Sequence, residues 1–153
     1  MAKAVAICTC ERCGKTFERS NKLQNRSMAD SWKEWAEEHF TVCSECWQAE
    51  RQEAERQATE ATNNLYGDIT VGTPKQIAWA VKIRRQAAER LEPLVKRLKS
   101  EYQEAYKIWM AKELSNPDAV FWIDHRDDVD ALAFGTPVNN YFIIRFKESI
   151  GIQ

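Results

Sequence analysis

A chain of 153 residues, 44% hydrophobic and 29% charged, has the composition of a globular protein rather than a disordered one. Its formal net charge of −1 gives no whole-chain electrostatic case for a nucleic-acid partner. No apolar run approaches the roughly 18 residues that span a bilayer, and the N-terminus lacks a signal peptide's apolar segment, so the expectation is a soluble, cytoplasmic protein with no membrane partner.

The first segment, CTCERCGKTFERSNKLQNR, has the Cys-x2-Cys-Gly ending of a metal-binding knuckle. Gly14 permits a positive φ, which lets backbone N–H groups approach the thiolates. A helix is predicted over about Met28–Phe40, capped by Ser27 or Asp30. Trp32, Trp35, Ala36 and Phe40 share one of its faces. The second knuckle, Cys43-Ser-Glu-Cys46-Trp47, launches a strongly helical run whose only apolar stripe is alanine: Ala49, Ala54, Ala58 and Ala61. Charge pairs such as Arg51/Glu55, Glu53/Arg56 and Arg56/Glu60 support it, each by only about 0.2–0.5 kcal/mol. It reads as an exposed connecting helix over 51–66, ending near Asn63 and Asn64.

Ile69-Thr70-Val71 allows at most a short strand. Gly72-Thr73-Pro74-Lys75-Gln76 is a clear start signal, with Thr73 as cap, Pro74 in the first turn and Gln76 completing a capping box. Ile77, Ala80, Val81, Arg84, Ala88 and Leu91 follow on one stripe, and Pro93 ends or kinks the helix. A second helix is predicted over about Glu92–Leu114, with Leu94, Leu98, Tyr102, Ala105, Trp109 and Lys112 recurring at threes and fours. Asn116-Pro117-Asp118 repeats the cap-then-proline pattern for a short helix through Phe121, Trp122 and Ile123. Asp127–Asp130 and Gly135-Thr136-Pro137 read as a loop, and the β-branched, aromatic tail NNYFIIRFKESI as a short strand.

The chemistry concentrates in the cysteines. Four of the five stand in Cys-x2-Cys steps, a pattern that suits a metal in a reducing compartment better than a disulfide framework. Zn²⁺ prefers four soft or borderline ligands in a tetrahedron, and each step sets two sulfurs at the required bite. Cys10, Cys13, Cys43 and Cys46 are therefore the expected ligands of one structural zinc. A four-cysteine shell leaves no open position for substrate. The 29 residues between the steps form a long interval that contains a helix. A second knuckle at a helix start resembles the treble-clef arrangement, with a generic ribbon as the alternative. Cys8 is a weaker first ligand than Cys10, since Cys8 and Cys13 lack the usual bite. His39 as a replacement ligand and a disulfide pairing are lesser alternatives.

Two charged blocks stand out. Residues 73–100 carry eight Lys/Arg against two acids, and residues 115–130 carry five Asp against one Arg. The bland reading is that the blocks neutralise each other within the fold. The functional reading is a partner or nucleic-acid surface of Lys75, Trp79, Lys82, Arg84, Arg85, Arg90, Lys96 and Arg97, where cations grip phosphate and Trp79 stacks a base. Asp124, Asp127, Asp128 and Asp130, beside His125, match no metal motif, and a metal-dependent nuclease is the least favoured reading.

The stretch GTPKQIAWAVKIR (Gly72–Arg84), together with DAVFWIDHR (Asp118–Arg126), resembles a recurring pattern in small phage, bacterial and mobile-element proteins. Those proteins pair a G-[ST]-x-K-Q-x-x-W-A-x-x-I-R helix with a downstream A-x-W/F-W-I-D-x-R segment, and several carry an N-terminal Cys-rich knuckle pair. The resemblance spans about residues 8–126. It implies an accessory factor of a phage or mobile element that inhibits or redirects a host protein or protein–nucleic-acid complex, possible anti-defence activity included. It implies no reaction.

The expectation is thus a non-enzymatic, mainly α protein. A zinc-ribbon or treble-clef-like module over 1–50 precedes the connecting helix, and a hairpin-like helical domain over 67–153 ends in a short strand. Sequence leaves the oligomeric state open.

Overall fold

The computed structural model describes residues 1–135 and 139–152. The chain divides into two compact units, Met1–Glu55 and Arg56–Gln153. It is mainly helical, with one small antiparallel sheet.

In the first unit, β1 (Ala2–Thr9) pairs with β2 (Thr16–Leu23) in the register Ala2↔Leu23 to Thr9↔Thr16. Neither strand was anticipated. Strand β1 buries Ala4, Ala6 and Cys8 on alternate positions, a period-two pattern written in residues of low strand propensity. Helix α1 (Arg26–His39) packs on that hairpin. Small side chains on both surfaces, Ala6 and Ala36, set the two backbones close together, and Phe17, Trp32 and Phe40 seal the margin. The cap of α1 is Asn25, whose side chain accepts the Met28 N–H at 2.9 Å, rather than Ser27 or Asp30. Trp32 and Ala36 face inward as expected. Trp35 does not: it is 47% exposed and stacks on His39.

Helix α2 (Ser44–Tyr66) begins at the second knuckle and contributes residues to both units. It is mostly exposed, with Thr62 its one residue classed as buried. The Arg56–Glu60 pair closes at 3.1 Å, and Arg51 lies over the Trp47 ring at 5.0 Å.

The second unit centres on α3 (Pro74–Leu91), which opens with the predicted capping box: Gln76 N–H donates to Thr73 and Thr73 N–H to Gln76. A 3-10 stretch (Glu92–Arg97) follows, and α4 starts only at Ser100, running to Leu114. The single helix expected over 92–114 is therefore broken at Leu98 and Lys99. Within α4 the buried residues are Tyr106, Trp109, Met110 and Leu114; of the expected stripe Leu94, Leu98 and Tyr102 pack against this core and Trp109 joins it, whereas Lys112 is exposed.

Helix α5 (Ala119–Asp124) is capped by Asp118, two residues after the expected Asn116 cap. The Asp-rich loop expected at 127–130 is instead α6 (Arg126–Ala131), extended by a 3-10 turn over Leu132–Phe134. The C-terminal strand is also corrected. Tyr141–Ser149 forms α7, capped by Asn140, with Phe142 and Phe146 buried one turn apart. Asn140 also donates to the Asp128 carbonyl, and Asp128 accepts from the Tyr141 N–H, so α6 and α7 lock each other's ends. Beyond Gly135, the predicted loop residues Thr136 and Pro137 lie outside the described residues.

Gly72 and Ala119 join the two ends of the motif pair. Val71 bridges Asp118, and the Ala119 N–H donates to the Val71 carbonyl at 2.8 Å. Gly72 sits at φ +134°, where a Cβ would lie 2.8 Å from that of Ala119. Trp122 is fully buried in the core of this unit, its indole donating to the Asn116 carbonyl. Trp79 is 46% exposed and lies beneath the Arg126 guanidinium at 5.4 Å. No helix among the described residues is long and apolar enough to cross a membrane.

Candidate metal centre

The loop of the β1–β2 hairpin, residues 10–15, is the first knuckle. The Cys10 N–H donates to the Lys15 carbonyl and the Gly14 N–H to the Cys10 carbonyl, closing a turn that Gly14 completes at φ +73°. The Glu11 N–H reaches the Thr41 carbonyl at 2.8 Å, tying this loop to the stretch before α2. The second knuckle is the first turn of α2, where Trp47 N–H bonds to the Cys43 carbonyl and Cys46 N–H approaches the Cys43 sulfur at 3.5 Å.

These two turns bring the sulfurs of Cys10, Cys13, Cys43 and Cys46 within 4.8 Å of one another. A tetrahedron with Zn–S arms of about 2.3 Å has edges of about 3.8 Å, and the Cys13–Cys43 separation is 3.8 Å. All five cysteines are free thiols. The four-sulfur cluster could hold a metal ion; it is the one such group of Cys, His, Asp and Glu among the described residues.

The electrostatics of the cluster favour thiolate formation at one member. Cys10 is pulled down to about 6, foremost by the Cys43 backbone N–H and further by those of Cys13 and Arg12. Cys46 is pushed up to about 12, because hydrogen bonding with Cys43 and Cys13 favours its protonated form and burial disfavours its charge. Without a cation the four sulfurs cannot all ionise at such spacing; a divalent ion removes the conflict.

Cys8 stands apart, as the weaker reading of its spacing implies. It is buried between β1 and α1, its thiol donating to the Ala36 carbonyl, and burial raises its pKa. His39 is likewise outside the cluster: Nδ1 meets the Trp35 carbonyl at 2.8 Å and the ring stacks on Trp35.

The basic stretch 75–99 is divided by the fold, and one member is corrected outright. Arg84 is fully buried, bonded to Asn63 and to the Leu114 carbonyl, so it is unavailable to a partner. Burial lowers its pKa, partly offset by Asp68. Arg85 pairs with Glu89 at 2.7 Å, and Arg90 with Asp130 at 3.1 Å and the Val129 carbonyl at 2.6 Å. The Arg90–Asp130 pair is a point at which the basic and acidic blocks meet within the fold. Lys75, Trp79, Lys82, Lys96 and Arg97 are exposed.

The Asp-rich segment is structural in its contacts. Asp128 accepts from Tyr141 and meets His125, Asp130 takes Arg90, and Asp127 takes Arg126. No protein-family model, curated protein or solved structure matches the chain.

Proposed function

We propose that this chain is a zinc-stabilised binding protein, with one structural Zn²⁺ on Cys10, Cys13, Cys43 and Cys46. The observation that carries the reading is the convergence of four thiols with no fifth donor in the cluster. Thiolate softness and a tetrahedral edge near 3.8 Å favour zinc over harder cations. A knuckle in a hairpin loop facing a knuckle at a helix start supports a treble-clef-like module, with α1 as the insert. Four protein ligands would leave no position for water or substrate, so the metal holds the scaffold together.

The working role is then recognition. The partner is a host protein or protein–nucleic-acid complex that the protein inhibits or redirects, in the setting of a phage or mobile element. That setting rests on the motif resemblance of Gly72–Arg84 and Asp118–Arg126. Exposed tryptophans on both units, Trp35, Trp47 and Trp79, support recognition, because such side chains anchor protein interfaces. Direct DNA or RNA binding through the 75–99 segment is the second reading. It keeps Lys75, Trp79, Lys82, Lys96 and Arg97 but loses Arg84 to the core.

Two measurements test the proposal. Elemental analysis of the purified protein is expected to give one zinc per chain. Affinity capture from host cells, repeated with a Cys10→Ser/Cys43→Ser variant, is expected to return a defined partner only with the metal-bound protein. A folded, metal-free protein would refute the zinc assignment. Salt-sensitive binding to DNA or RNA, with no protein partner, would favour the second reading.

A further inference from the structure

The second unit contains a cleft of about 430 Å³ between the segment Leu94–Tyr106 and the C-terminal stretch Ile143–Ile152. Its most buried lining residues are Tyr106 and Phe146, whose rings meet edge to face at 4.9 Å. The Tyr106 hydroxyl is already engaged by the Leu91 carbonyl, so the cleft receives apolar ring surface from it. Leu98, Tyr102, Ile143 and Ile150 supply further half-buried lining.

Three cations, Arg97, Lys99 and Lys147, also line this cleft, and no acidic residue among the described ones does. Elsewhere in the unit Arg85, Arg90 and Arg145 have acidic partners, in Glu89, Asp130 and Glu148, while several lysines have none among the described residues, so what distinguishes the cleft is three cations around one apolar lining. The side chains of Arg97, Lys99 and Lys147 have no ion pair or hydrogen bond among the described residues. Apolar lining calls for an apolar occupant, and three unmatched cations call for several anions. A fatty acid carries a single negative charge against three cations and would leave the cleft with a net positive charge. A peptide segment that alternates bulky apolar side chains with carboxylates answers both requirements.

We propose that this cleft docks an acidic segment of the partner protein, its apolar side chains seated on Tyr106 and Phe146 and its carboxylates on Arg97, Lys99 and Lys147. The proposal rests on the protein-binding reading above and gives it a place and a chemistry.

The test is a titration of the isotope-labelled, zinc-loaded full chain with two short synthetic peptides, followed by amide chemical shifts. Both peptides place Leu and Phe at helical i, i+3, i+4 and i+7 positions; one fills the other positions with Glu and Asp, the other with Lys. The acidic peptide is expected to shift Leu98, Tyr102, Ile143 and Ile150, and the basic one to leave them in place. Arg97→Glu/Lys99→Glu/Lys147→Glu is expected to weaken the acidic peptide at least about tenfold, and the matching Gln variant to weaken it less. Amide spectra of the variants without peptide check that their fold is intact. Equal binding of both peptides, no shift with either, or an unchanged affinity in the reversed variant would overturn the proposal. Shifts with dodecanoate but not with the acidic peptide would overturn it too, reassigning the cleft to a small amphiphile. If host-cell capture returns a partner that the reversed variant binds equally well, the cleft proposal fails and the binding reading stands. If capture returns none, the binding reading fails while the titration still decides the cleft.

Discussion

Cys8 and Cys10 differ by two positions and by everything that matters chemically. Both are buried, but Cys10 receives backbone N–H groups from the metal loops, whereas Cys8 behaves as a small apolar side chain between Ala6 and Ala36. Cys8→Ala is therefore expected to retain one zinc per chain, and Cys10→Ser to lose most of it, by elemental analysis after gel filtration. Arg84 is a second residue whose environment reverses its sequence-level reading. Truncation to alanine strands Asn63 and the Leu114 carbonyl and leaves a cavity, so Arg84→Ala should cost about 2–5 kcal/mol in denaturant unfolding. At Gly72 the backbone conformation and the nearby Ala119 Cβ both oppose a side chain. Gly72→Ala should cost about 1–3 kcal/mol by the same measurement, with the mutation felt in the second unit only.

At the scale of elements, the start of α3 was legible, whereas the caps of α1, α5 and α7 fell on other residues than expected or were not expected at all. The Thr73-Pro74-Gln76 box fixed the start of α3, because its hydrogen bonds are local and depend on nothing distant. The hairpin was hidden because its turn is a Cys-x2-Cys-Gly loop rather than an Asn-Gly type loop, and its buried strand face is built from Ala and Cys. The tail Tyr141–Ser149 reads as strand from its aromatic and β-branched composition. It folds as helix because Asn140 caps it and Phe142 and Phe146, four apart, reach the core of Tyr106, Trp109 and Trp122. Tertiary burial outweighed propensity there. The clustering of Cys10, Cys13, Cys43 and Cys46 needed no tertiary knowledge to expect, since Cys-x2-Cys carries its own geometry. Which cations remain unmatched was illegible, as the partners of Arg84 and Arg90 lie 21 to 40 positions away. Asn140→Ala removes both the α7 cap and the bond to Asp128, and should cost about 1–3 kcal/mol with loss of helical circular dichroism.

For the whole molecule, the two units should answer differently to metal removal. Chelation is expected to unfold Met1–Glu55, because binding free energies of structural zinc, about 10–16 kcal/mol, rival the stability of an entire domain. The second unit holds its own apolar core around Trp122 and should keep its amide signals. The sign of the pH effect follows from the thiols. Bound metal requires four thiolates, and Cys46 holds its proton up to about 12 without metal. Binding therefore expels at least that proton, and apparent zinc affinity should rise at least about tenfold per pH unit near neutrality. Competition with a chromophoric chelator at several pH values measures this. The hairpin loop and the α2 start also have a kinetic consequence. An ion gripped by one knuckle alone has two sulfurs, and recruiting the other pair from an unfolded chain means closing a loop of some 30 residues, an entropic cost of about 3 kcal/mol. In the folded unit α1 packs on the hairpin and spans that interval. Zinc exchange should consequently be gated by the opening of α1, with a dissociation rate that tracks the stability of one alanine-lined helix contact rather than the strength of the Zn–S bonds.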